Sequence, residues 1–197
     1  MNVLRKLVVL APVMLLSLTA CEAKIDETKA GERVATYDAA KVTEEYKSYD
    51  EKSECNIKKN TGVFADGGLL SSIVKIMKEA LNQEQKDVPA AEGIYTTNAF
   101  GDLMNAAAAE GAAKPVISYY AYKNTGLKIV GEAKQDANSA GTKQKASAKV
   151  EMYVFDDGRI EKASGSMKMS VSGEAAGVKL TGDLDLSFKV TYTWHKA

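Results

Sequence analysis

The chain has 197 residues with 26 basic and 26 acidic side chains, 45% hydrophobic residues, two cysteines and one histidine. That length suits one domain with a substantial core, and the lack of a basic excess argues against a nucleic-acid partner. With His195 alone, two residues from the end, and read as a solvated surface group, neither a zinc site nor a histidine-based triad can be assembled.

Residues 1–20 carry Arg5 and Lys6, an apolar run from Leu7 to Leu16 and small residues before Cys21. This is the pattern of a secretory signal, and the apolar run is too short to span a bilayer as a helix. Without it the chain keeps 24 basic and 26 acidic side chains, close to neutral. Leu18-Thr19-Ala20-Cys21 resembles the lipobox of bacterial lipoproteins. The resemblance implies a diacylglyceryl group on the Cys21 thiol, a palmitate-type lipid anchor, and cleavage before Cys21. Glu22 is not the aspartate that retains such proteins at the inner membrane, so the family pattern implies the outer membrane, on its periplasmic or surface face, where a cell has two. Cys55 then stands alone, and a buried thiol is expected there.

Residues 21–35 are charged, lack apolar periodicity and read as a lipidated flexible tether; residues 36–197 form the domain. Ala39, Val42, Tyr46 and Tyr49 recur at helical spacing and predict a helix within 36–52, capped by Thr36 or Asp38. Leu69, Leu70, Ile73, Ile76, Met77, Ala80 and Leu81 predict a second helix that ends between Gln83 and Lys86, with Lys75, Lys78 and Glu79 in water. A third is expected from Asn98 as N-cap through Phe100, Leu103, Met104 and alanines 106–109, stopped by Gly111.

After Pro115 the period changes to two. Runs at 116–123, 127–134, 145–155, 160–172 and 178–194 alternate apolar with polar residues, and Asn124-Thr125-Gly126 and Asp156-Asp157-Gly158 signal turns. The last run places Val178, Leu180, Leu184, Leu186, Phe188, Val190, Tyr192 and Trp194 on one face, with Gly182 the expected bend. The fold class is therefore α+β: two or three N-terminal helices on one face of a curved antiparallel meander of about five strands.

Setting Asp156 opposite Arg159 pairs Met152 with Ala163, Val150 with Gly165, Ala148 with Met167 and Ala146 with Met169, large against small at each rung. A four-residue loop at 174–177 would then place Val171 opposite Leu180 and Gly165 opposite Leu186.

Chemistry is sparse. Asp156-Asp157 is better explained by turn geometry than by acid–base work, and no phosphate-loop lysine follows Gly67-Gly68. No enzyme activity and no cofactor or metal is expected. Tyr119, Tyr120 and Tyr122, with Met152, Met167 and Met169, are the candidate ligand contacts, although packing accounts for them as well. The expected function is an anchored envelope lipoprotein with a non-catalytic structural or surface-interaction role, whose partners are the membrane and an envelope protein. The alternative is a carrier of an apolar ligand or lipid between sheet and helices.

Overall fold

A computed structural model describes residues 23–96, 115–139, 141–175 and 177–197. Residues 1–20, expected to be a signal, Cys21 and the helix expected from Asn98 to Gly111 lie outside them. The strands are β1 (Lys24–Ile25), β2 (Tyr46–Asn60), β3 (Glu84–Pro89), β4 (Val116–Tyr122), β5 (Gly126–Ser139), β6 (Thr142–Val154), β7 (Ile160–Ala175) and β8 (Val178–Lys196). They make one antiparallel sheet in the order β1-β4-β5-β6-β7-β8-β2-β3. The described helices are α1 (Glu27–Val34), α2 (Ala39–Glu45) and α3 (Ser71–Ala80).

This corrects the expected fold class: the protein is mostly an eight-stranded antiparallel sheet with short helices, not five strands under a helical layer. β4 to β8 are the five alternating runs. The three further strands left no period-two signal. β1 has only two residues. β3 has the sequence Glu-Gln-Lys-Asp-Val-Pro, the charged composition that protects an edge strand from pairing with other chains. In β2 the residues opposite Tyr192 and Val190 are Glu51 and Ser53, both buried, so polar side chains occupy positions that would otherwise be apolar.

β2 also overturns most of the helix expected within 36–52. Asp38 caps α2 by accepting the Lys41 N–H at 3.1 Å, but the helix ends at Glu45 and Tyr46 begins the strand. Tyr49 is completely buried, stacked beside Tyr192 and Trp194 on neighbouring β8. Its three-residue offset from Tyr46 imitated a helical stripe.

Residues 24–35, expected to be tether, are folded as well. Lys24 and Ile25 pair with Tyr120 and Tyr119, Asp26 caps α1 by accepting the Lys29 N–H, and Arg33 donates from Nη1 to the carbonyls of Asn124 (3.0 Å) and Gly126 (2.7 Å). A cation in the last turn of α1 thus binds the β4–β5 turn and complements the helix dipole.

The β6–β7 register is the expected one, from Met152 opposite Ala163 to Ala146 opposite Met169. The β7–β8 register differs by two residues: Val171 faces Gly182 and Gly165 faces Phe188. Pairing continues to Ala175 and Val178, so the connection is shorter than the four residues assumed, with Gly177 at φ +76 making the reversal. An even shift keeps every side chain on its face. Gly182 marks a crossing: a Cβ there would lie 2.4 Å from the Thr61 carbonyl, where the 3-10 turn at Gly62–Phe64 runs over β8.

The core lies on the inner face of the sheet. Leu127, Ile129, Met152, Val154, Leu184, Leu186 and Val190 are buried and share one cluster with Phe64 and with Val74, Met77 and Leu81 of the α3 segment. The helix is turned so that this stripe points inward. Leu69, Ile73 and Ile76, expected in the core, are instead exposed by 72%, 45% and 56%. Ser53 fixes the exit of α3, its Oγ accepting the Gln83 N–H at 3.0 Å while its own N–H donates to the Gln83 carbonyl at 2.8 Å.

Candidate functional site

The candidate residues divide between the two faces. Tyr119 lies opposite Ile129 on the inner face, packed against the core, and burial raises its phenol pKa. Met152 and Met167 are buried in that core and Met169 is half-buried at its far end. Tyr120 and Tyr122 project to the outer face. The six residues therefore do not form one site, and Cys21 lies outside the described residues.

The outer face has two ends. At the proximal end, beside β1, aromatic rings and cations alternate. Lys128 lies 5.9 Å from the ring centre of Tyr120 and 5.2 Å from that of Tyr153; Lys162 lies 4.4 Å from Tyr153 and 5.7 Å from Tyr122; Lys123 lies 5.0 Å from Tyr122 and 4.6 Å from Phe155. Arg159 continues the series, 4.7 Å from Phe155 and 4.0 Å from Tyr46. Each contact of this kind contributes about 0.5–1 kcal/mol where exposed and more where desolvated.

Carboxylates answer the cations. Glu161 accepts from the Tyr122 hydroxyl and from Lys123 Nζ, both at 2.7 Å; burial alone would raise its pKa, but these donors and the Lys162 charge hold it below the ordinary value. Glu151 bridges Lys149 (2.8 Å) and Lys128 (3.2 Å), and Lys149 reaches Glu132 at 3.7 Å. Here too desolvation pushes the carboxyl up, and the two lysines outweigh it to leave the pKa lowered.

At the distal end the register builds a trough. One rung runs Lys134, Ser147, Lys168, Asp185 and Lys59 across five strands, and the next runs Asp136, Lys145, Ser170 and Asp183. Between them, over the backbone of Gln135, Ala146, Met169 and Leu184, lies a cavity of about 840 Å³. A smaller one of about 330 Å³, with Ser164, Ser166 and Ser187 in its lining, adjoins it at Lys168 and Asp185. Ser147 and Ser170 line the larger cavity beside Lys59, Lys134, Lys145 and Lys168. Three ion pairs join its charges: Lys59 with Asp183 at 2.7 Å, Lys168 with Asp185 at 3.1 Å, Lys145 with Asp136 at 3.2 Å. These residues are scattered over some 127 positions, from Lys59 to Asp185, and only the register assembles them. Sequence reasoning saw the polar alternation but had no motif with which to single them out.

Elsewhere, His195 Nε2 lies 3.1 Å from Asp50 Oδ1, an ion pair when the imidazole is protonated. The backbone N–H of Asp87 and then His195 lower the Asp50 pKa. Asp157 receives the backbone N–H of Arg159 at 3.0 Å and its Nε at 2.7 Å, which is turn chemistry. Cys55 is a free, half-buried thiol on the inner face, its pKa raised by burial.

No protein-family model matches the chain, and neither a curated protein nor a solved structure matches it.

Proposed function

We propose that this is a lipid-anchored protein of the bacterial cell envelope with a non-catalytic role, which it performs by presenting the distal trough to a partner in the envelope. The observation that carries this reading is the trough itself: an open cavity of about 840 Å³ lined by lysines, aspartates and serines of five strands, on the face opposite the packed core. It lies six to eight residues along β5 from Lys128, about 20–27 Å at 3.4 Å per residue, from the proximal end that carries β1. Anchor and interaction surface are thereby separated, as a displayed module requires. The filled inner face is the reason for preferring this role to that of an apolar-ligand carrier: along β6, β7 and β8 its central side chains, Met152, Ala163, Met167, Leu184, Leu186 and Val190, are all 6% exposed or less.

The lipobox-like Leu18-Thr19-Ala20-Cys21 supports the anchor. Cys21→Ser is expected to move the protein from the membrane fraction to the soluble fraction. Full retention of the variant after a high-salt wash would require a different anchor. Native mass spectrometry of the released protein separates the roles: a lipid mass lost on denaturation would favour the carrier instead.

A further inference from the structure

We infer that the proximal end of the outer sheet face is a contact surface for a phospholipid bilayer. The inference rests on the anchored reading above for its setting, and it begins from chain length. The Ala23 carbonyl accepts the Ala121 N–H at 2.9 Å and Lys24 lies opposite Tyr120. Two residue steps, at most about 7 Å, separate Cys21 from Ala23. The interfacial layer on each side of a bilayer is itself about 5–8 Å deep. An acylated Cys21 would therefore leave the β1–β4 edge no room to stand off the membrane, and this edge must lie at headgroup level.

The side chains there suit that level. Tyr120, Tyr122 and Phe155 are half-exposed on the outer face and alternate with Lys123, Lys128 and Lys162. Aromatic residues with polar ends and lysines with long stems are the side chains that partition to a membrane interface. Each is paired within the protein: Lys123 and Lys162 share Glu161, and Lys128 shares Glu151 with Lys149. With its lysines engaged in ion pairs, the surface offers ring edges and methylenes rather than a bare basic patch. It matches a zwitterionic headgroup layer, and the contact should be insensitive to salt.

The test holds the protein by the same residue whatever becomes of Cys21 in the cell, so its failure is separable from failure of the acylation. Every described strand lies between Lys24 and Lys196, so residues 22–197 suffice for the sheet. They would carry a polyhistidine tag in place of Cys21 and be tethered to phosphatidylcholine nanodiscs containing a nickel-chelating lipid and a headgroup spin label. Amide resonances of residues 118–124 and 153–156 are expected to be broadened while those of 134–136 and 143–147 are spared. Equal broadening at both ends, or broadening of the distal end alone, overturns the inference. Tethering by itself brings the edge close, so contact is tested by replacing Tyr120 and Tyr122 with serine, with unchanged distal chemical shifts showing that the fold is kept. The gradient is expected to be lost, and an unaltered gradient overturns the inference. In about 1 M salt, where the Debye length is about 3 Å, the wild-type gradient should persist; its loss would identify an ion-pair surface and overturn the salt-insensitive contact.

Discussion

The inner and outer faces of the sheet are made from alternate residues of the same strands, yet they are held by different physics. On the inner face shape decides. Gly165 lies between Val150 and Phe188, and a Cβ added there would stand 2.5 Å from the Phe188 ring and 2.6 Å from the Lys149 carbonyl. On the outer face charge decides, through lysines paired to carboxylates on adjacent strands and laid over tyrosine rings. One face should therefore be intolerant of volume and little affected by salt, and the other the reverse.

The sharpest way to break that contrast is Gly165→Leu. The new side chain cannot enter without displacing Phe188, a residue only 9% exposed, or the Lys149 carbonyl. A loss of about 3 kcal/mol, at the upper end of the overpacking range, is expected in denaturant unfolding at low and high salt alike. A full-strength protein, or a loss that grew with salt, would mean that the inner face is not close-packed at this rung.

How far the sequence carried this picture depends on which face a strand shows. β8 was legible because its inward positions are uniformly apolar, and the β6–β7 register because large and small residues answer each other at every rung. β2 runs beside β8 and buries the same face, yet Glu51 and Ser53 sit inward and Tyr46 and Tyr49 mimic a helical stripe. Its strand character comes from its neighbours, so no local pattern could have revealed it. The same holds for β1, which is fixed by pairing with β4, and for the trough, whose ion pairs join residues as distant as Lys59 and Asp183. The β7–β8 register was missed for a smaller reason: a two-residue change in loop length leaves the facing pattern intact.

The outer face should fail first in acid. The Glu151 carboxyl titrates below its ordinary value of 4.5 because Lys149 and Lys128 outweigh desolvation. Glu161 is lowered likewise by Lys123 and Tyr122 against the effect of burial. A carboxyl with a lowered folded pKa contributes stability that is fully present above the unfolded value and is lost as pH falls through the folded one. The wild-type melting temperature is therefore expected to fall as the pH drops below about 4.5. Glu151→Gln, less stable at neutral pH, should lose less over the same range, so that the two curves converge. Parallel curves would show that Glu151 contributes nothing to the acid limb.

The smallest expected effect compares the two ends of the outer face with each other. Lys128 and Glu151 have side chains 9% and 16% exposed, and Lys128 is roofed by Tyr120 and Tyr153. Lys59 and Asp183, in the trough, are 55% and 45% exposed, although their 2.7 Å separation is shorter than the 3.2 Å of the shielded pair. Distance alone would rank the trough pair higher. Solvent reverses that order, because water screens the exposed charges and competes for them, and holding two mobile side chains together costs entropy. Asp183→Asn is therefore expected to change stability by no more than about 0.2–1 kcal/mol, an effect that shrinks further in salt. The backbone role of Asp183 survives the substitution, since its N–H donates to Thr61 Oγ1 at 3.1 Å and its carbonyl accepts the Thr61 N–H at 2.9 Å. A double-mutant cycle with Lys59→Met, measured at low and high salt, isolates the pair. A coupling above 1 kcal/mol that resisted salt would mean the trough is as well shielded as the proximal end, and would remove the distinction between an outer face that is shielded at its proximal end and open at its distal end.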